Sequence, residues 1–263
     1  MYNHLAQAGF VDIVFMPEQI PHPETNFRVE ARKPMKVESQ DDWIKQREPR
    51  LYYEIFENNE YGTRPGDFAN KVVFDVGANA GVFSYMAYIH GARRIIAVEA
   101  NPKTFINNLV PNVQHFDSEG KVTLYNYALY NRDKGYVEVV DNGPMTTVKE
   151  INDMDLLKSI TTISLESLTA LLGEEVNDAI LKMDIEGSEF ETLLPAPASL
   201  LRKFSIIFIE IHGGVKGPAE DIKRKLRECG FVCENTNQYW GQHPEHKEVY
   251  IPMDTYVERW VRQ

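Results

Sequence analysis

Val72-Val73-Phe74-Asp75-Val76-Gly77-Ala78-Asn79-Ala80-Gly81 decides how the rest of the chain is read. An apolar run ends in a glycine turn preceded by an acid, and a helix-like segment, Val82 to His90, follows. Beyond it, Ile95-Ile96-Ala97-Val98 runs into Glu99. Strand, glycine loop, helix, strand and acid form the first half of a nucleotide-binding α/β unit. Gly77 suits a sharp reversal where a side chain would clash, and Gly81 lets the helix begin close to a ligand. Glu99, at the carboxyl end of the second strand, is placed to accept both hydroxyls of a ribose in charge-assisted hydrogen bonds.

The same loop bears on which nucleoside is bound. A dinucleotide fingerprint has glycine at its third position and again three residues later, so that backbone amides can crowd a pyrophosphate. Those positions hold Asn79 and Val82. Asp75, beside the turn, would repel a diphosphate and attract a cation. S-adenosylmethionine carries an ammonium and a sulfonium and no phosphate, so the loop favours it over NAD.

Three further segments follow in order: Val98-Glu99-Ala100-Asn101-Pro102, then Leu181-Lys182-Met183-Asp184-Ile185-Glu186-Gly187-Ser188-Glu189, then Ile209-Glu210-Ile211-His212-Gly213. Together with the glycine loop they resemble the FkbM family of S-adenosylmethionine-dependent methyltransferases over roughly residues 50 to 233. Lys182-x-Asp184-x-Glu186-Gly187-x-Glu189 is the most specific part of the resemblance. Ala100 departs from the family's usual proline, and Ser164-Leu165-Glu166 stands where many members read Thr-Leu-Asp. The resemblance implies an α/β fold of the class I, Rossmann-like type, with a doubly wound, mostly parallel seven-stranded sheet. It also implies methyl transfer to an oxygen acceptor, as in polyketides, sugars and lipid-linked glycans.

Length and composition agree with one such domain. The chain has 263 residues, 43% of them hydrophobic, enough to bury a full core in a catalytic domain (61–263) behind an N-terminal arm and helix (1–60) covering the sheet. Its 39 acids outnumber its 28 bases, for a formal charge of −11, and a phosphate backbone would be repelled on average, which argues against nucleic acid. Arg93-Arg94 and Lys223-Arg224-Lys225 read as solvated faces. Cys229 and Cys233 have neither redox nor zinc spacing and read as reduced thiols. No apolar run approaches the ~20 residues of a membrane span, and Met1 to Phe15 lacks a basic start and a cleavage site, so a cytoplasmic location is expected. The arm leaves a lid and a homodimer contact equally open.

Along the chain, Phe10 to Phe15 reads as a short strand, and a helix is expected from Pro49 onward. Strands are expected at Val72–Val76, Ile95–Glu99, Val122–Tyr127, Ala179–Met183 and Ser205–Ile211, with a final pair at Phe231–Cys233 and Glu248–Ile251. Helices are expected at Val82–His90, Lys103–Val110, Leu165–Leu172, Ser188–Leu194 and Ala219–Cys229. Tyr136–Val140 after the Asn131–Gly135 turn reads as a β-hairpin inserted where a helix belongs, and Asp141 to Met154 as a polar loop.

Ligands of open α/β sheets bind at the carboxyl ends of the strands, and every polar cluster falls there. Gly77 and Ala78 are assigned to backbone contact with the methionine part, and Asp75 or Asn79 to its ammonium or carboxylate. Glu99 takes the ribose, Ala100 and Asn101 line the adenine side, and Tyr127 and Ala128 pack beside the ring. A hydroxyl acceptor needs a base, and His212, with an unperturbed pKa of about 6.5, is the candidate. Lys182 is the cation expected to moderate Asp184, Glu186 and Glu189. Alternatively, Asp184 with Glu210 or His212 holds Mg²⁺ or Mn²⁺, or Lys182, Glu186 and Glu189 form a structural network. Two other classes compete: an NAD-dependent oxidoreductase and a non-catalytic binding module. The Asn/Asp-Pro-Pro-aromatic signature of amino methyltransferases is absent, since Asp184-Ile185-Glu186-Gly187 stands in its place.

Overall fold

Continuously apolar runs supply the inner strands, because a strand covered on both faces has no solvent side to keep polar. The computed structural model describes residues 39–140, 147–150, 159–242 and 250–263. The expected strand at Phe10–Phe15 and most of the Asp141–Met154 loop lie outside them. The described strands are β1 (Val72–Val76), β2 (Arg94–Val98), β3 (Val122–Tyr125), β4 (Ala128–Leu129), β5 (Tyr136–Val140), β6 (Thr147–Glu150), β7 (Ser159–Ile163), β8 (Ala179–Met183), β9 (Phe204–His212), β10 (Phe231–Gln242) and β11 (Tyr250–Arg262).

Seven of them form one sheet in the order β10-β11-β9-β8-β1-β2-β3. β3, β2, β1, β8 and β9 run parallel, and β11 and β10 close the edge antiparallel. The chain walks outward from β1 to β3, then returns to the other side of β1 as β8. The strand order therefore reverses between β1 and β8, and the loops leaving those two strands diverge to open a crevice. A second sheet, β4-β7-β5-β6, is inserted between β3 and β8. The expected hairpin is thus part of a four-stranded sheet.

Alternate residues feed two cores, one on each face. Val72, Phe74, Val76, Leu181 and Met183 pack beneath helices α6 (Leu165–Ala170), α7 (Glu189–Leu193), α8 (Ala198–Leu201) and α9 (Ala219–Glu228). Val73, Ala97, Ile180 and Phe208 face the other side, covered by α1 (Gln40–Arg47), α2 (Pro49–Tyr52), α3 (Val82–Ile89), α4 (Pro102–Thr104) and α5 (Val110–Phe116). Asp75 and Lys182 occupy this second face and are direct neighbours in the β1–β8 register.

Three boundaries differ from expectation for identifiable reasons. The helix after Pro102 continues to Phe116 through a π turn, Phe105–Leu109. Pro111 has no N–H to give the carbonyl of Asn107, so the helix widens there, and Arg47 Nη2 donates to that oxygen at 3.4 Å. β3 stops at Tyr125 because Asn126 turns its side chain back to the Glu99 and Ala100 carbonyls at 2.7 and 3.2 Å. The closing strands are far longer than their apolar cores, since their polar positions pair on the solvent side. The leading helices pack on α5, where Trp43 stacks on His115 at 4.2 Å and donates to Asn112 Oδ1 at 3.3 Å. Asn112 Nδ2 in turn donates to the Ala80 carbonyl at 2.9 Å, which braces the glycine loop.

Candidate active site

The turn after β1 passes so close to the end of β8 that nothing larger than hydrogen fits at Gly77. A Cβ there would lie 1.7 Å from the Asp184 carbonyl oxygen, and the residue has φ +73°. The Gly77 and Ala78 N–H groups both donate to the Val98 carbonyl at 2.9 Å. Those amides are therefore spent on β2, although Gly77 itself lines the cavity beside Glu99. Ala78 is packed in the core face and Gly81 meets Leu109 (a Cβ would lie 2.8 Å from its Cδ1), so Gly81 serves helix packing rather than ligand approach.

Glu99 is held at the crevice by two backbone donors. Asn79 N–H reaches Oε2 at 2.8 Å and Asn101 N–H reaches Oε1 at 2.7 Å. Each oxygen keeps a lone pair for a second donor, the arrangement two adjacent hydroxyls require. Burial pushes the Glu99 carboxyl above its usual range, while these two bonds pull it down. Asn101 acts through its backbone and caps α4 through Oδ1, accepting from Lys103 N–H at 3.0 Å.

A cavity of about 280 Å³ opens at this point. Gly77, Asn79, Glu99, Ala100, Tyr127 and Ala128 line it from the β1, β2 and β3 side, with Asp184 and Glu186 from β8. Ile185 and Ser188, which sequence reasoning did not single out, complete the β8 side. The ionisable lining groups other than Tyr127 are all carboxylates: Glu99, Asp184 and Glu186. Such a wall attracts a cation and repels phosphate.

Asp75 is not part of this wall. It is fully buried, accepts from Ser84 Oγ at 2.7 Å, and faces Lys182 Nζ at 3.5 Å. Lys182 donates to the Gly77 carbonyl at 2.7 Å and stands 3.8 Å from Asp184. Burial lowers the Lys182 ammonium's affinity for its proton, and Asp75 and Asp184 raise it, with a net upward shift. Its neighbours make Lys182 a buried tie between the cofactor-side turn and the β8 end.

His212 differs most from its expected state. Nδ1 lies 3.1 Å from Glu189 Oε1, and Nε2 lies 3.3 Å from Glu186 and 3.4 Å from Glu210. Burial opposes the charge, but the bonds to Glu189 and Glu210 overcome it and raise the imidazole to about 11. At neutral pH the ring is an imidazolium, so it is a cation within a carboxylate cage and not the free base its unperturbed pKa suggested. Glu186 is pushed up to about 7 by burial and the nearby Asp184 charge, and Glu210 is raised for the same two reasons. Glu60 and Tyr239, bonded to each other, stand within the electrostatic reach of Asp184. No single segment signals this cage, because its members come from the β8 turn, α7 and β9.

Asp184, Glu210 and His212 also offer three ligand atoms within 4.8 Å of one another. Both cysteines are free thiols, Cys229 buried and Cys233 half-buried. Among the described residues no helix is long and apolar enough to cross a membrane.

Comparison with known proteins bears directly on this arrangement. The model of the methyltransferase FkbM domain matches residues 75–233. Among solved structures, the chain is similar to a candidate RNA methyltransferase from Pyrococcus horikoshii, with 17% identity, 82% of this chain and 86% of that one covered, and a TM-score of 0.43. It is also similar to TrmK of M. capricolum in complex with S-adenosylhomocysteine, with 11% identity, coverage of 79% and 68%, and a TM-score of 0.44. No curated protein matches.

Proposed function

Because the chain belongs to the FkbM methyltransferase family, we propose that it transfers the methyl group of S-adenosylmethionine to a hydroxyl oxygen of a small molecule or glycan. The observation that carries the cofactor reading is the cavity wall of Glu99, Asp184 and Glu186, with no basic side chain among the residues that line it. A sulfonium and an ammonium suit that wall, and the diphosphate of NAD does not. The doubly held Glu99 carboxylate would take the ribose, Tyr127 and Ala128 would flank the adenine, and Asn79 would meet the methionine end.

S-adenosylmethionine supplies an electrophilic methyl carbon when bound. The acceptor oxygen must approach that carbon opposite the sulfur, and its proton must leave as the bond forms. A carboxylate is the better proton acceptor here than His212. Glu186, with its pKa raised to about 7, faces the cavity, and Glu210 stands beside the same ring. The His212 imidazolium keeps these acids from repelling one another outright. Oxygen is favoured over nitrogen because the amino-methyltransferase signature is missing after β8. The net charge of −11 speaks against a nucleic-acid acceptor, and free thiols with an acidic surface suit a cytoplasmic setting.

A second reading rests on the 4.8 Å grouping of Asp184, Glu210 and His212. Glu189 already engages Nδ1, which leaves Nε2 and two carboxylates, a mixed nitrogen and oxygen set better matched to Mn²⁺ than to Mg²⁺. A divalent cation held there would polarise an acceptor hydroxyl.

Calorimetric titration with S-adenosylhomocysteine and, separately, with NADH tests the cofactor. Wild type should bind the first alone, and Glu99→Ala should lose about 100-fold in affinity, two charged hydrogen bonds at roughly 1.5 kcal/mol each. NADH binding in place of S-adenosylhomocysteine would overturn the reading. A screen of methyl glycosides, catechols and transfer RNA, with and without EDTA, then separates the acceptor classes and the metal reading.

A further inference from the structure

Glu189 lies at the start of α7, fully buried, and its hydrogen bonds are directed at two structures. Oε1 accepts from the Ile185 N–H at 2.9 Å and lies 3.1 Å from His212 Nδ1, and Oε2 accepts from the Gly187 N–H at 2.9 Å. Between those two amides stands Glu186, in the left-handed region at φ +53°, where a residue with a Cβ is strained. Something must hold that conformation, and the carboxylate bridging the residues on either side of it does so. Glu189 is absent from the cavity lining, so it touches neither cofactor nor acceptor.

We infer that Glu189 is the positioning residue of the acceptor half of the site: one buried carboxylate holds the Asp184–Gly187 turn in its strained form and aims the His212 ring. This rests on the acceptor side being at Asp184, Glu186 and His212, as proposed above. The logic is that of a carboxylate fixing an imidazole through its far nitrogen. With Nδ1–H given to Glu189, Nε2 is directed at Glu186 and Glu210. Asp184, Glu186 and Glu210 are the other charged groups around this ring. None of them contacts Nδ1 among the described hydrogen bonds and ion pairs, so Glu189 is the partner that holds the ring from its Nδ1 side.

The test uses the full chain labelled with ¹⁵N-histidine, with NMR reading the Nδ1–H proton of His212, assigned by its absence in His212→Asn. Wild type should show a strongly hydrogen-bonded Nδ1–H. Glu189→Gln, which pits an amide group against donors, should lose or shift that signal, while Glu186→Gln should leave it in place. Amide exchange at Ile185 and Gly187 should quicken in Glu189→Gln, because both amides lose their carboxylate acceptor. A Glu189 that served only the turn would leave the ring proton untouched, and that result would overturn the inference. If Glu189→Gln does not fold, Glu189→Asp keeps the charge one methylene shorter. It should then weaken the Nδ1–H signal and speed amide exchange at Ile185 and Gly187, and unchanged values for both would equally overturn the inference. Failure of wild type to bind S-adenosylhomocysteine would sink the cofactor reading while leaving this measurement decisive for Glu189.

Discussion

Gly77 and Glu99 show what a single residue contributes when its neighbours are fixed by backbone. Gly77→Ala would force a methyl to within 1.7 Å of the Asp184 carbonyl at a positive φ. The expected cost is roughly 2–5 kcal/mol, left-handed strain plus overpacking, read as a lower urea midpoint together with loss of S-adenosylhomocysteine binding. Glu99 makes a pH prediction. Only the ionised carboxylate can accept from both ribose hydroxyls, and burial raises its pKa above the ordinary 4.5. Acidification therefore protonates it sooner than a solvated glutamate, so affinity for S-adenosylhomocysteine should begin to weaken at a pH above 4.5, and calorimetry across a pH series checks this. The positions of both residues were legible in the sequence because a glycine turn and a strand-end acid are local signals. The protonation state of His212 was not. It is set by Glu189, Glu186 and Glu210, whose convergence on one ring depends on how α7 and β9 pack, and an isolated histidine carries no trace of that.

Elements were legible in proportion to how much of their surface is buried. β1 and β8 match their expected limits residue for residue, since both are buried on both faces. β10 was read only at its start, because asparagine, threonine and glutamine look like loop until paired, and β11 only at its start, where Pro252 and Asp254 interrupt the apolar run. The π turn before α5 was hidden for another reason: its cause, Pro111, is visible, but its compensation by Arg47 comes from a different helix. β9 carries the element-scale prediction. Phe208 is fully buried, with Tyr61, Phe68 and Phe83 around it at ring distances of 6.3, 6.0 and 5.7 Å. Phe208→Ala should cost about 3–5 kcal/mol in urea unfolding, since three rings cannot collapse fully into the space of a fourth. A loss below 1 kcal/mol would mean that β9 packs more loosely than these contacts imply.

Across the whole molecule, the reversal of strand order at β1 and β8 explains why the site was easier to find than to interpret. Each half is a contiguous motif, the glycine loop with Glu99 on one side and Lys182 to Glu189 on the other. Their meeting is a property of the sheet, and so is the second sheet between β3 and β8, which the sequence hinted at only as a hairpin. Lys182 and the Gly77 carbonyl it bonds are 105 positions apart. That separation has a consequence during synthesis. A ribosome delivers the glycine loop and Glu99 long before the strand that must flank them, and closing so distant a contact is slow. The emerging chain passes through a period in which Glu99 and its two amide donors exist without the second wall of their pocket. Under the proposed function, a product truncated before β8 should fail to retain S-adenosylhomocysteine.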